Sequence, residues 1–449
     1  MKQTDDKLES ANTKGHVRSS ETGLEDQQGF RTSIHQIQSE SLRWPALEGL
    51  RGLAILLVFV VHYTSFLKPH MARHGWSLEM AAVTAKAGQS GVDLFFVLSG
   101  LLIYRICIQE KFEARKYARR RFVRIYPTFL FVFAMYICAM LAYPLNNKFA
   151  VTSGHGVLYI LSNLLLLPGL FPIVPIITVA WSLSYELAYY IAMPILRLGL
   201  RLHQWSSLQR FILAITAVTL MIVTATLGFG PNLHMIMFLA GILVYELGTG
   251  FGAYMSFGAG SLWMDLLLFA VLISTVFTFG FQETRIWHVA TLGALHQRVI
   301  DYVGLTIAFS LLVYECLFKR AAAYAIFSWY PLRWLGKISY SFYLFHALIL
   351  QGCFRALNAL LPNYQVGCMG YLLLLPVVLL VAVVLTWPLF AFVEKPFSLG
   401  ELSTRAAPAW RWKQHSVPKS VEKTLDSDGE DRHAEVGSVG PRADVHAVK

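Results

Sequence analysis

"LEGLRGLAILLVFVVHYTSF", residues 47–66, sets one guanidinium and one imidazole, Arg51 and His62, in a run that is otherwise apolar. Whether that run is a lipid-spanning helix decides the fold. The composition answers first: 449 residues, 55% hydrophobic and 14% charged, with a mean hydropathy of +0.51, carry more apolar surface than a soluble core can hide. Runs long enough to cross about 30 Å of hydrocarbon recur at 50–68, 90–108, 126–143, 176–196, 211–228, 233–249, 262–281, 299–317, 338–356 and 371–393. They predict an all-α polytopic membrane bundle of about ten transmembrane helices. Another stretch, 156–171, is apolar but short and holds Pro168 and Gly169. It reads as interfacial or re-entrant.

No apolar signal-peptide core precedes the first run in this sequence, and that run is therefore expected to act as its own insertion signal. Residues 1–43 and 398–449 are polar and are expected to be disordered tails around a membrane domain at 44–397. Five cysteines, Cys107, Cys138, Cys316, Cys353 and Cys368, lack C-x-x-C spacing, so neither a disulfide framework nor a metal site is expected. Orientation follows from "YRICIQEKFEARKYARRRFVRIYP", residues 104–127, with eight Lys and Arg against Glu110 and Glu113. By the positive-inside rule this connection is cytoplasmic, and an even helix count brings both termini to the same side. The net charge of +11 thus serves topology and calls for no nucleic-acid partner.

Eleven residues separate Arg51 from His62, which at 1.5 Å and 100° per residue is about 16 Å along one stripe of a helix. An ionisable side chain at membrane depth is costly and marks function by default; the structural alternative is a topology anchor and a neutral core histidine. Asp93, in "GQSGVDLFFVLSGLLI" (88–103), is expected near the non-cytoplasmic end of the second helix. There it either orients His62 or forms a capping box with Ser90. Glu186, in "AWSLSYELAYY" (180–190), needs a partner or a proton; it reads as a second base, an acceptor for a substrate hydroxyl, or the counter-ion of a buried arginine. His346, in "KISYSFYLFHALIL" (337–350), reads as packed with a hydroxyl partner, and Glu394, in "FVEKPF" (392–397), as bonded to a basic loop. Clustered guanidinium groups in 104–127 suit bidentate phosphate binding as well as topology and anionic headgroups. His296 and Asp301 make an H-x-x-x-x-D that falls in a non-cytoplasmic loop and reads as chance. No G-x-S-x-G elbow or P-loop is present.

Seven segments, in order, resemble the acyltransferase-3 family of integral membrane O-acyltransferases. They are "PALEGLRGLAILLVFVVH" with Arg51 and His62, "GVDLFFVLSGLLI", "RRFVRIYP" with Arg121, Arg124, Tyr126 and Pro127, "WSLSYE", "MFLAGILVY", "LGKISYSFYLFH" and "FVEKPF". The likeness covers about 44–397; Glu48 stands where the family usually has Asp, and no SGNH-type domain follows the last helix. The resemblance implies transfer of an acyl group, commonly acetyl, from acyl-CoA to a hydroxyl of a carbohydrate, glycolipid or small natural product. In that reading Arg51, Arg121 and Arg124 hold the phosphates of CoA at the cytoplasmic face, and the pantetheine arm runs inward to His62. His62 then acts as general base or transient acyl carrier, with Asp93 or Glu186 tuning it. A transporter of an anionic or acylated solute would use the same residues, as would a carrier that passes the acyl group across the membrane to another enzyme.

Overall fold

The computed structural model describes residues 45–71, 77–142, 155–228, 233–250, 270–273, 275–276, 294–319, 322–362 and 364–399, and no strand occurs among them. The expected tails lie outside these residues apart from Ser398 and Leu399, which close the last helix, and so does most of the expected span 262–281. Of the thirteen α-helices named here, α1 is Pro45–Leu67, α2 is Ser77–Cys107, α3 is Ala114–Ala142, and α4 is His155–Leu164. Helix α5 is Ala180–Gly199, α6 is Ser207–Thr226, α7 is Ile236–Gly250, and α8 is Ala294–Tyr314. The short α9, Ala322–Phe327, and α10, Tyr330–Lys337, precede α11, Ser339–Leu360. Helix α12, Cys368–Leu389, runs through a π-turn, Phe390–Glu394, into α13, Lys395–Leu399.

Among the described residues seven helices are long and apolar enough to cross a bilayer: α1, α2, α3, α6, α7, α8 and α12. They coincide with seven of the ten expected runs, and the protein is an integral, multi-pass membrane protein. The runs at 176–196 and 338–356 are helical as α5 and α11 but fall short in apolarity, because each carries a row of polar side chains turned inward. Those are Ser182, Ser184 and Arg197 on α5 and Ser339, Ser341 and His346 on α11, all buried. The stretch 156–171 is the ten-residue α4 and a turn. Beyond it the backbone is non-helical to Val179, and side chains hold it: the Ile176 N–H donates to Asn163 Oδ1 at 2.8 Å, and the Tyr185 hydroxyl donates to Gly169 O at 2.6 Å. Irregular backbone survives at membrane depth only when its polar groups are met in this way.

The centre of the bundle is α2. Its apolar stretch is 72% buried, against 11% for α6 and 17% for α12, whose exposed leucines and valines suit lipid. Small residues let backbones approach where no hydrophobic effect drives helices together. A Cβ on Gly91 would strike Ala54 O, Leu57 and Val58 of α1, and one on Gly88 would strike Leu57 O and Val61. On the opposite flank, Gly100 lies against the Phe238 backbone of α7, and Gly241 of α7 against Val97 O of α2. These contacts set α1 antiparallel and α7 parallel to α2, and they fix which side chains share a level. Replacing Gly241 with Val is therefore expected to cost the 1–3 kcal/mol typical of overpacking, or folding altogether. Gly352→Ala, with nothing within 4 Å of the added atom, should be neutral or stabilising by up to about 1 kcal/mol. Thermal unfolding in detergent of the two variants checks the contrast.

Candidate active site

Polar side chains from five helices meet beside the middle of α2. Glu186 of α5 accepts the Ser99 hydroxyl at 2.7 Å and the Tyr190 hydroxyl one turn on. Arg51 of α1, Arg124 of α3 and Glu186 line one narrow cavity, closed by Tyr340 and Tyr343 of α11 and by Phe96 of α2. The cavity has room for no more than a few waters. A larger guest must move side chains. Arg51 is surrounded by Arg124 and Arg121 as repelling neighbours and Glu186 as an attracting one. Neither Arg51 nor Arg124 forms an ion pair among the described residues. Two guanidinium groups facing one carboxylate leave a net positive cavity, the electrostatics of an anion site.

Arg121, expected beside them, stands behind the wall. Its guanidinium lies 5.5 Å from the Tyr117 ring and 5.5 Å from the Tyr190 ring, and its buried Nε has no hydrogen-bond partner. It reaches the cavity through Tyr190, whose ring it stacks on.

His62 sits deeper on α1, its ring edge-on to His346 of α11 with centroids 5.0 Å apart. His346 is wholly buried, and its partner is the Phe342 carbonyl, 2.9 Å from Nδ1, instead of the expected hydroxyl. Its Nε2 is buried without a partner. Tyr343 stands between this pair and the arginines. It lines the cavity, its ring lies 6.1 Å from that of His346, and its hydroxyl donates to Val179 O at 3.1 Å and meets Ser182 Oγ at 2.5 Å.

Asp93 is not the partner of His62. Helix α2 starts at Ser77 and runs 31 residues, so Asp93 lies mid-helix, and Ser90 donates to Ala87 O at 2.7 Å instead of capping anything. Since Gly91 lies on Ala54, His62 is about eight residues, roughly 12 Å, farther along α1. The Asp93 carboxylate instead bonds His234 Nδ1 at 2.6 Å, and the Tyr302 hydroxyl stands 3.2 Å from His234 Nε2. Trp181 and Phe96 pack on the same imidazole, with ring centroids at 5.4 and 6.3 Å. The sequence carried a signal for His234: it opens the apolar run 233–249 and is as costly at that depth as His62.

Elsewhere charges are structural. Glu394 accepts the Ser341 N–H at 3.0 Å and its hydroxyl at 2.5 Å, capping the first turn of α11 where a bond to a basic loop was expected. Arg210 pairs with buried Glu246 at 2.6 Å, which also takes the Tyr104 hydroxyl. His296 and Asp301, five residues apart on α8, point about 140° apart around the helix, in keeping with a chance match.

Residues 44–390 match the family model described as an acyltransferase domain, more than half of the chain. The chain belongs to the acyltransferase-3 family. It is similar to "Acyltransferase MdmB" of Streptomyces mycarofaciens, 32% identical over 160 residues, 34% of this chain and 39% of that one. It is also similar to "O-acetyltransferase OatA" of Staphylococcus aureus, 25% identical over 337 residues, 68% of this chain and 50% of that one. The chain thus spans half or less of the length of these curated relatives, and no solved structure matches it. Within this acyltransferase-3 domain the Asp93 carboxylate is fully buried and bonded to a His234 imidazole that is 16% exposed, and losing a hydrogen bond to a charged group costs about 1.5–3 kcal/mol. Asp93→Ala is expected to lower stability by that order, and combining Asp93→Leu with His234→Phe to recover most of it, as read from denaturation in detergent.

Proposed function

We propose that this protein is a membrane O-acyltransferase that moves an acyl group, acetyl in the first instance, from acyl-CoA to a hydroxyl of a carbohydrate, glycolipid or small natural product. The observation that carries the reading is the meeting of Arg51 and Arg124, without ion-pair partners among the described residues, in one cavity whose inner wall, Tyr343, stands 6.1 Å from the His346 ring beside His62. Family membership and relatives named for acyl and O-acetyl transfer support the same chemistry.

The Arg-rich end faces the cytoplasm, where the charge bias of 104–127 puts it. Arg51 and Arg124 take the phosphates of CoA in bidentate, charge-assisted contacts, and Arg121 adds positive potential through the Tyr190 wall. Glu186, held by Ser99 and Tyr190, is the counter-ion that keeps the guanidinium groups in place while the site is empty. The pantetheine arm is thin enough to pass Tyr343 when its hydroxyl leaves Ser182 and Val179, and this brings the thioester to His62. His62 then takes the proton of the acceptor hydroxyl or carries the acyl group itself. Asp93 acts through His234, which packs on Phe96 in the cavity wall, and so supports the site from behind. Family membership and relatives named for acyl transfer favour this reading over a multi-pass transporter.

Full-length protein in nanodiscs, given acetyl-CoA and a panel of alcohol acceptors, tests the reading by CoA release. His62→Ala is expected to lower the rate at least 100-fold, the scale of a lost acid–base group. Arg124→Ala should raise KM for acetyl-CoA by about tenfold or more, as for a lost charged hydrogen bond, with little change in folded yield. Unaltered CoA release in the His62 variant would remove that residue from the chemistry, and an unmoved KM would remove the phosphate site.

A further inference from the structure

Resting on that reading of His62, we propose that His346 is the positioning residue of the reaction: its Nε2 accepts the N–H of His62 and so holds the other His62 nitrogen bare toward the thioester. Three observations converge. The Nδ1–H of His346 is committed to the Phe342 carbonyl at 2.9 Å, which fixes the tautomer and leaves Nε2 a lone-pair acceptor. That Nε2 is buried and has no partner, a state that costs free energy until a donor arrives. The imidazole of His62 stands edge-on to the same ring, centroids 5.0 Å apart, so rotation of the His62 ring can turn its N–H toward that Nε2 while the Phe342 bond stays in place.

A neutral imidazole offers one donor and one acceptor, and which nitrogen is which depends on the partner of the other. For His62 no carboxylate is at hand, because Asp93 is spent on His234 and Glu186 on Ser99 and Tyr190. A neutral acceptor suits a site enclosed by Phe59 and Phe342, both fully buried beside these rings. It sets the tautomer without a buried charge. In the transfer step the acceptor O–H proton passes to the bare nitrogen of His62 as the oxygen bonds the acyl carbon. The C–S bond then breaks, its electron pair leaves on sulfur, and His62 returns the proton to the thiolate. His346 neither gains nor loses a proton; its hydrogen bond to His62 strengthens while His62 is positive.

The test compares His346→Phe, which keeps a flat ring and removes the acceptor, with His346→Gln, whose amide oxygen can accept from His62. With acetyl-CoA and the alcohol panel, His346→Phe is expected to lower kcat about 100-fold with KM for acetyl-CoA within about threefold. His346→Gln should restore at least a tenth of the wild-type rate. In a His62→Ala background, His346→Phe should cost nothing more, because residues acting as one unit are not additive. Nitrogen-15 spectra of histidine-labelled protein give a readout free of turnover: His62 in a single tautomer in the wild type and in two after His346→Phe. Equal loss in the Phe and Gln variants, a raised KM in place of a lowered kcat, or mixed His62 tautomers in the wild type overturns the proposal. Should wild-type protein release no CoA at all, the acyltransferase reading falls, and the tautomer measurement alone decides the role of His346.

Discussion

Close backbone contact along α2 sets the relative depth of Arg51, Asp93 and His234. Gly88 and Gly91 press it onto α1, and Gly100 with Gly241 presses it onto α7. Lipid offers no hydrophobic reward for helix association, so the register rests on such van der Waals fits and on the polar bonds they permit. Shifting α7 by one turn relative to α2 would part Asp93 from His234 and Glu246 from Tyr104 together. The two polar bonds, about three turns apart, therefore reinforce the fit that the glycines allow. On the other flank the antiparallel fit of α1 brings Arg51 level with the stretch of α2 that presents Phe95 and Ser99.

Against this background the cation cavity stands out by what it leaves unpaired. Most other buried or half-buried charges have a close partner: Glu246 has Arg210, Glu48 has Arg333 at 3.0 Å, Glu394 has Ser341, and Arg197 donates to Gln109 O at 3.0 Å. Pairing of that kind is what a low-dielectric interior demands of a charge with only a structural task. Arg51 and Arg124 repel each other across the cavity, with Glu186 as the one carboxylate in its lining and Glu394 acting from outside it. Their cost is offset when an anion arrives, and a bound phosphate is such an anion.

Tyr343 links the two halves of the site. Its ring is part of the cavity wall and a neighbour of His346, and its hydroxyl ties α11 to the irregular backbone just before α5. The non-helical run 165–179 is thus part of the site's frame. Tyr185 and Asn163 hold it from within the protein, and Val179 O at its end receives the Tyr343 and Ser182 hydroxyls.

By itself the sequence determined the membrane class, seven helices long and apolar enough to span, the short non-spanning stretch after residue 155, and the placing of Arg51 and His62 on one helix, because all of these follow from local hydropathy and helix geometry. The ordered motifs from "GLRG" to "FVEKPF" likewise carried the family. Partnership across helices was decided only in the folded chain. Asp93 looked like a cap or a companion to His62, yet the glycine register sets it about two turns away and opposite a histidine 141 positions on. Arg121 and Arg124 are one turn apart in sequence, but only Arg124 enters the cavity, since Tyr190 stands in front of the other. Local periodicity says which face a residue occupies; which neighbour that face meets depends on long-range packing, and no window of sequence contains it.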